Sequence, residues 1–228
     1  MGIYDIMSIH AAKTGDVQTM QYLFITNKNH LDYLKIGNVA AKYGKLEIIK
    51  LLDKYFPLHG IQYISKAVKH NNIEVVKYIV EQTNFVNIYN KIGIYAAMYN
   101  NFLIMKWAVE NGANDLDMFA SVTAKYGYIE LLKWLILKGA NKFNMMNLFA
   151  AEGGNVDVVM FLFEKGSNNV NDVYYVAKDF KHEKLCEYLR KEKSVKDDEV
   201  DVTMVERILY PVKKLFSYVN FIPIGRKE

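Results

Sequence analysis

Residues able to do chemistry are few and scattered in this chain of 228 residues. The five histidines, His10, His30, His59, His70 and His182, fall at no spacing that sets two imidazoles on one helix face, so no metal centre is expected. A single cysteine, Cys186, excludes an internal disulfide and a cysteine-based zinc site. Gly153-Gly154 has no Lys-Ser/Thr after it and does not read as a phosphate loop. No nucleophile elbow is present. Glu47, Glu74 and Glu130 each stand three residues before a lysine, Lys50, Lys77 and Lys133. That spacing suits exposed ion pairs along a helix better than paired catalytic carboxylates. The expectation is a non-enzyme with no catalytic residue, no cofactor and no metal.

Chemical character resides instead in columns that recur along the chain. One holds Tyr43, His70, Tyr99 and Tyr126; four residues earlier stand Val39, Lys66, Tyr95 and Val122; three earlier again stand Ile36, Tyr63, Ile92 and Phe119. Spacings of three and four place these on one helical face. Tyrosine joins a large contact area to a hydrogen-bonding tip, which suits an interface. The candidate partner-binding residues are therefore Tyr43, Tyr63, His70, Tyr95, Tyr99, Phe119 and Tyr126. Two readings stand open: an aromatic groove for a partner, or a face covered by other parts of the chain. A second column holds Lys13, Lys42, Lys69, Lys125 and Lys178, interrupted by Met98 and Glu152; a third holds Lys50, Lys77, Lys106 and Lys133. Lysines beside aromatics can follow a phosphate backbone, so nucleic acid is the alternative partner, although the solvated-face reading outweighs it.

These columns need elements to position them. Pairs of small residues recur with their second member at 12, 41, 68, 97, 124, 151 and 177, each time just ahead of a Gly-, Asn- or charge-containing break. The period is 26 to 29 residues. Each copy reads as two helices. The first carries the small pair and stops at Gly15, Gly44, Asn71, Asn100, Gly127 or Gly154, residues that accept a left-handed backbone. The second is amphipathic, as in Leu46, Ile48, Ile49 and Leu52 with Glu47 and Lys50 outward. One helix pair cannot bury both faces, whereas stacked pairs can. The fold class expected is all-α, about seven stacked helix pairs.

Composition agrees. Hydrophobic residues make up 51% and charged residues 24%, against 3 Pro and 13 Gly, so the chain is neither disordered nor loop-rich. The formal charge of +4 is too small to announce nucleic acid. No apolar run approaches the ~18 residues of a membrane span, and the N-terminus MGIYDIMS carries no signal-type block. An intracellular, cytoplasmic protein is expected, with the nucleus also open.

The stretch Ala40 to Leu52, AAKYGKLEIIKLL, closely resembles the ankyrin-repeat core, as does the run from Ala124 to Ala140. The resemblance covers roughly residues 4–190. The short, Asn-, Ile- and Tyr-rich copies are similar to those encoded by large DNA viruses, particularly viruses of amoebae. The resemblance implies a protein–protein interaction module or scaffold, a concave groove lined by the first helices, and, for a viral chain, a host protein partner in the host cytoplasm. It departs from the ankyrin pattern in length, since a full repeat is about 33 residues. The missing residues fall where the β-hairpin fingers stand, so shortened or absent fingers are expected. A structural subunit of a viral or cellular complex is the remaining alternative, and a monomer is favoured.

Beyond the array, 1–190, residues 191–201 read as a charged linker and 202–228 as a C-terminal amphipathic helix and tail. Val205, Ile208, Leu209, Val212, Leu215, Phe216 and Val219 recur at helical spacing there, with Pro211 as an interruption. A cap on the last repeat, partner binding and peripheral membrane contact are its three readings.

Overall fold

The computed structural model describes residues 2–56, 60–83 and 87–195, and these form α-helices and no strand. The chain divides into two compact units, residues 1–113 and 114–228. The first unit contains α1 (Ile3–Thr14) with α2 (Val17–Thr26), α3 (Tyr33–Lys42) with α4 (Leu46–Tyr55), α5 (Gly60–Lys69) with α6 (Ile73–Glu81), and α7 (Ile88–Met98) with α8 (Phe102–Glu110). The second contains α9 (Leu116–Lys125) with α10 (Ile129–Leu137), α11 (Phe143–Glu152) with α12 (Val156–Glu164), and α13 (Val170–Asp179) with α14 (Glu183–Lys193). The seven expected pairs are present. The last helix runs three residues past the array boundary at 190. The amphipathic segment expected at 202–228 lies outside the described residues.

One turn joins the two helices of every pair, and local chemistry dictates it. The chain passes through a left-handed residue at Gly15, Gly44, Asn71, Asn100, Gly127, Gly154 and Lys181. The next amide then reaches back five residues, as Lys45 N–H to the Ala40 carbonyl (2.9 Å) and Asn155 N–H to the Ala150 carbonyl (3.0 Å). This Schellman closure satisfies carbonyls that a helix end leaves orphaned. A lysine at 181 tolerates φ of 60° only at some cost in backbone energy.

The small pairs do what their sizes suggest. Ala11, Ala12, Ala40, Ala41, Ala96, Ala97, Ala150 and Ala151 are all fully buried. In the first unit α1 packs on α3, α3 on α5 and α5 on α7, while α2 packs on α4 and α4 on α6. In the second α9 packs on α11 and α11 on α13, with α12 on α14. Close approach is most acute at Gly153, where a Cβ would stand 1.9 Å from the Lys125 carbonyl oxygen.

From one helix pair to the next the chain makes short turns at 111–115, 138–142 and 165–169, and a single 3-10 turn at Lys28–His30. The second unit ties successive turns together. The Asp117 carboxylate accepts from Asn141 N–H (2.8 Å) and Lys142 N–H (3.0 Å), and Asn144 Oδ1 accepts from Asn168 N–H (2.9 Å). No helix among the described residues is long and apolar enough to cross a membrane.

Candidate functional site

The three aromatic rows do not share one environment. Tyr63 and Tyr95 are 2% exposed and Phe119 is fully buried, so these three candidates belong to the core and present no surface to a partner. Tyr63 shows the cause. Its ring lies across α3, 2.2 Å from where a Cβ on Gly37 would stand, and its hydroxyl donates to the Tyr33 carbonyl (3.4 Å). Burial, with the charges of Asp32 and Asp53, pushes its phenol up to about 12. Tyr95 is raised further, chiefly by burial, and its hydroxyl has no hydrogen-bond partner among the described residues. This part of the face looks into the neighbouring helix of the stack rather than into solvent.

The last row escapes because it sits where the first helices end. Tyr43, Tyr99 and Tyr126 are the C-cap residues of α3, α7 and α9, and His70 follows α5 directly. Tyr43 is 41% exposed and Tyr126 40%; His70 is exposed and Tyr99 half-buried. Covered core and open surface are both present on one face, divided along the helix axis.

Lysines frame the open row in the first unit. The ammonium groups of Lys13 and Lys42 stand 5.5 Å and 5.2 Å from the Tyr43 ring centroid. Lys69 stands 5.3 Å from the Tyr99 ring centroid. Such contacts hold a cation over the electron-rich face of a ring. Lys13 and Lys42 also occupy the last turns of their helices, where the helix dipole favours positive charge. No carboxylate among the described residues forms an ion pair with Lys13, Lys42 or Lys69. The positive field registers on His70, whose ring is held below the ordinary histidine range by burial and then by Lys42, Lys69 and Lys66.

The second unit treats the same column differently. Lys125 pairs with Glu152, the acidic interruption of the lysine column, at 2.5 Å in a partly buried position. Tyr126 stacks on Tyr128 with ring centroids 6.1 Å apart. The two following positions of the aromatic column are Gly153 and Asp179. The lysines of the second helices are also occupied. Lys50, Lys77 and Lys133 pair with Glu47 (2.7 Å), Glu74 (3.0 Å) and Glu130 (2.7 Å), as the three-residue spacing implied.

A third repeated feature has a clear structural role. The residue opening the second helix reaches back to the preceding copy. Asn72 Nδ2 donates to the carbonyls of Ala41 (2.7 Å) and Lys42 (2.9 Å), and Asn101 Nδ2 to that of Val68 (2.8 Å). Asn155 Nδ2 donates to Ala124 (3.1 Å) and Lys125 (2.6 Å). His182 meets the Glu152 carbonyl through Nε2 at 2.9 Å, with the histidine donating. The recurrence of Asn at 72, 101 and 155 is the signal that could have exposed this lock in the sequence.

No cluster of His, Cys, Asp or Glu among the described residues has the arrangement to hold a metal ion. Cys186 is buried and is one of the residues that line an open depression, with Tyr174, Lys178, Lys181, Glu183 and Arg190. No known family model matches the chain, and no curated protein matches it significantly.

Proposed function

We propose that this chain is a non-enzymatic, ankyrin-like helical solenoid that binds a protein partner through the exposed ends of its first helices. The observation carrying this reading is the survival of polar-tipped side chains at the surface of the first unit, Tyr43 and His70, while its first helices bury Tyr63 and Tyr95. Rings held at helix ends by their own backbone lose little freedom on binding, which favours their use as anchors. The partner surface is thus the first unit's part of the last aromatic row, narrower than the seven residues marked by spacing alone.

The test is affinity capture with the full chain, followed by titration of the captured protein. Tyr43→Ser/His70→Ser should lose about 2 kcal/mol of affinity, roughly thirtyfold, with an unchanged thermal midpoint. A normally folded double variant that keeps its partner at full affinity refutes the reading.

A further inference from the structure

The formal charge of this protein is not spread along it. Residues 1–113 hold twelve lysines, no arginine and eight acids, a formal +4; residues 114–228 hold seventeen of each sign. Within the first unit the acids Glu47, Glu74 and Glu110 are engaged by lysines of their own helices, and Asp53 accepts from the Tyr78 hydroxyl. Lys13, Lys42 and Lys69, at successive first-helix ends, form no ion pair among the described residues.

From this we infer that the strip Lys13–Tyr43–Lys42–His70–Lys69–Tyr99 binds an extended acidic peptide segment with a carboxylate at about every third residue. The inference rests on the binding reading above and names the chemistry of the partner. Spacing decides between acidic partners. Packed helices stand about 8–10 Å apart, so the strip offers roughly one lysine per such step. An extended peptide advances about 3.3 Å per residue, and three residues match one step. One strand of duplex DNA carries a phosphate every ~3.4 Å along the axis, about three charges for each lysine. The absence of arginine also removes the bidentate fork that phosphate recognition favours. The rings beside the lysines supply apolar contact for the two intervening residues of each peptide step. The cation–ring contacts hold the ammonium groups in place beforehand, which reduces the ordering cost of binding.

The experiment uses the full chain and three fluorescent probes at about 50 mM salt: a peptide of roughly twelve residues with Glu at every third position, a peptide of the same composition with its Glu residues contiguous, and an oligo-dT of equal charge. The spaced peptide is expected to bind tightest, with Lys13→Gln/Lys42→Gln/Lys69→Gln weakening it about tenfold or more and the corresponding three Lys→Arg changes leaving it nearly intact. Circular dichroism melts establish that each variant folds; should the Gln triple unfold, Lys42→Gln alone with about threefold weakening is the substitute test. Tighter binding of oligo-dT, equal binding of the two peptides, binding unaffected by loss of the lysines, or no binding of any probe overturns the inference. A captured partner that depends on Tyr43 and His70 but not on the lysines overturns the acidic-peptide inference and leaves the binding reading standing. One that depends on neither set defeats both.

Discussion

In the first unit the lysines at the ends of the first helices meet aromatic rings; in the second, the corresponding Lys125 meets a carboxylate. The backbone at these ends is the same in both, with a left-handed residue, a Schellman closure and a side chain reaching back from the next copy. A common scaffold thus carries two electrostatic solutions. Glu152 at a lysine position neutralises Lys125 within the second unit's column, where Lys178 stands 6.0 Å from the Tyr174 ring centroid. Tyr43 and Tyr99 at the neighbouring position leave the first unit's charge unneutralised. The fold and the surface charge rest on different positions of the repeat, so one can vary without disturbing the other.

The largest effects should separate the two ends of the aromatic face. Tyr63→Ala in the first unit and Phe119→Ala in the second should each cost about 3–5 kcal/mol, read as a drop in the urea midpoint. Tyr43→Ser should change stability by less than ~0.5 kcal/mol. Equal costs for Tyr43 and Tyr63 would break the division of that face into core and surface. Tyr95→Phe removes a buried hydroxyl without a partner among the described residues and should be neutral or slightly stabilising.

Breaking the ion pair sharpens the comparison between units. Glu152→Gln should cost about 1–3 kcal/mol, because Lys125 is only 22% exposed and loses its counter-charge. Lys42→Gln removes no ion pair and should cost less than ~0.5 kcal/mol. Glu152→Gln should also make the second unit attract an acidic peptide that the wild-type unit ignores. Matching stability losses for the two variants would show that the units do not differ in this respect.

The shared lock should respond alike on both sides. Asn72→Ala and Asn155→Ala each leave two carbonyls without their donor, at about 1–2 kcal/mol apiece in chemical denaturation. A large cost in one unit and none in the other would mean that the scaffold is not common to both.

The smallest effect is a pH dependence confined to the first unit's strip. Burial and Lys42, Lys69 and Lys66 favour the neutral ring of His70 in the folded protein, so its folded pKa lies below its unfolded one. Between these values the unfolded chain binds more protons. This contribution is complete above the unfolded pKa of about 6.5 and is lost as pH falls through the folded value. Thermal midpoints between about pH 7 and pH 5 should therefore fall slightly less in His70→Gln than in the wild type. An identical fall in both would show that His70 does not sense the lysines.

Much of this molecule is legible in its residues alone. Period, helix pairing, blunt turns, the small-residue contacts and the Glu–Lys pairs all follow from relations within a few positions: apolar spacing, Gly or Asn at helix ends, and Glu three residues before Lys. Such relations are local, and a repeating chain states them several times over. The rest depends on partners about one copy away. Whether Tyr63 is core or surface is decided by Gly37 on the preceding first helix, which leaves room for its ring. Lys125 finds Glu152, and Asn72 finds Ala41, only once the pairs are stacked. Spacing of three and four places residues on one helical face but not at one depth. Exposure also depends on where the helix stops relative to its neighbour. The sequence therefore determined which residues line up; stacking decided that Tyr63, Tyr95 and Phe119 are buried while Tyr43, His70 and Tyr126 remain in contact with water, because side-chain burial is set by the surface a neighbour presents.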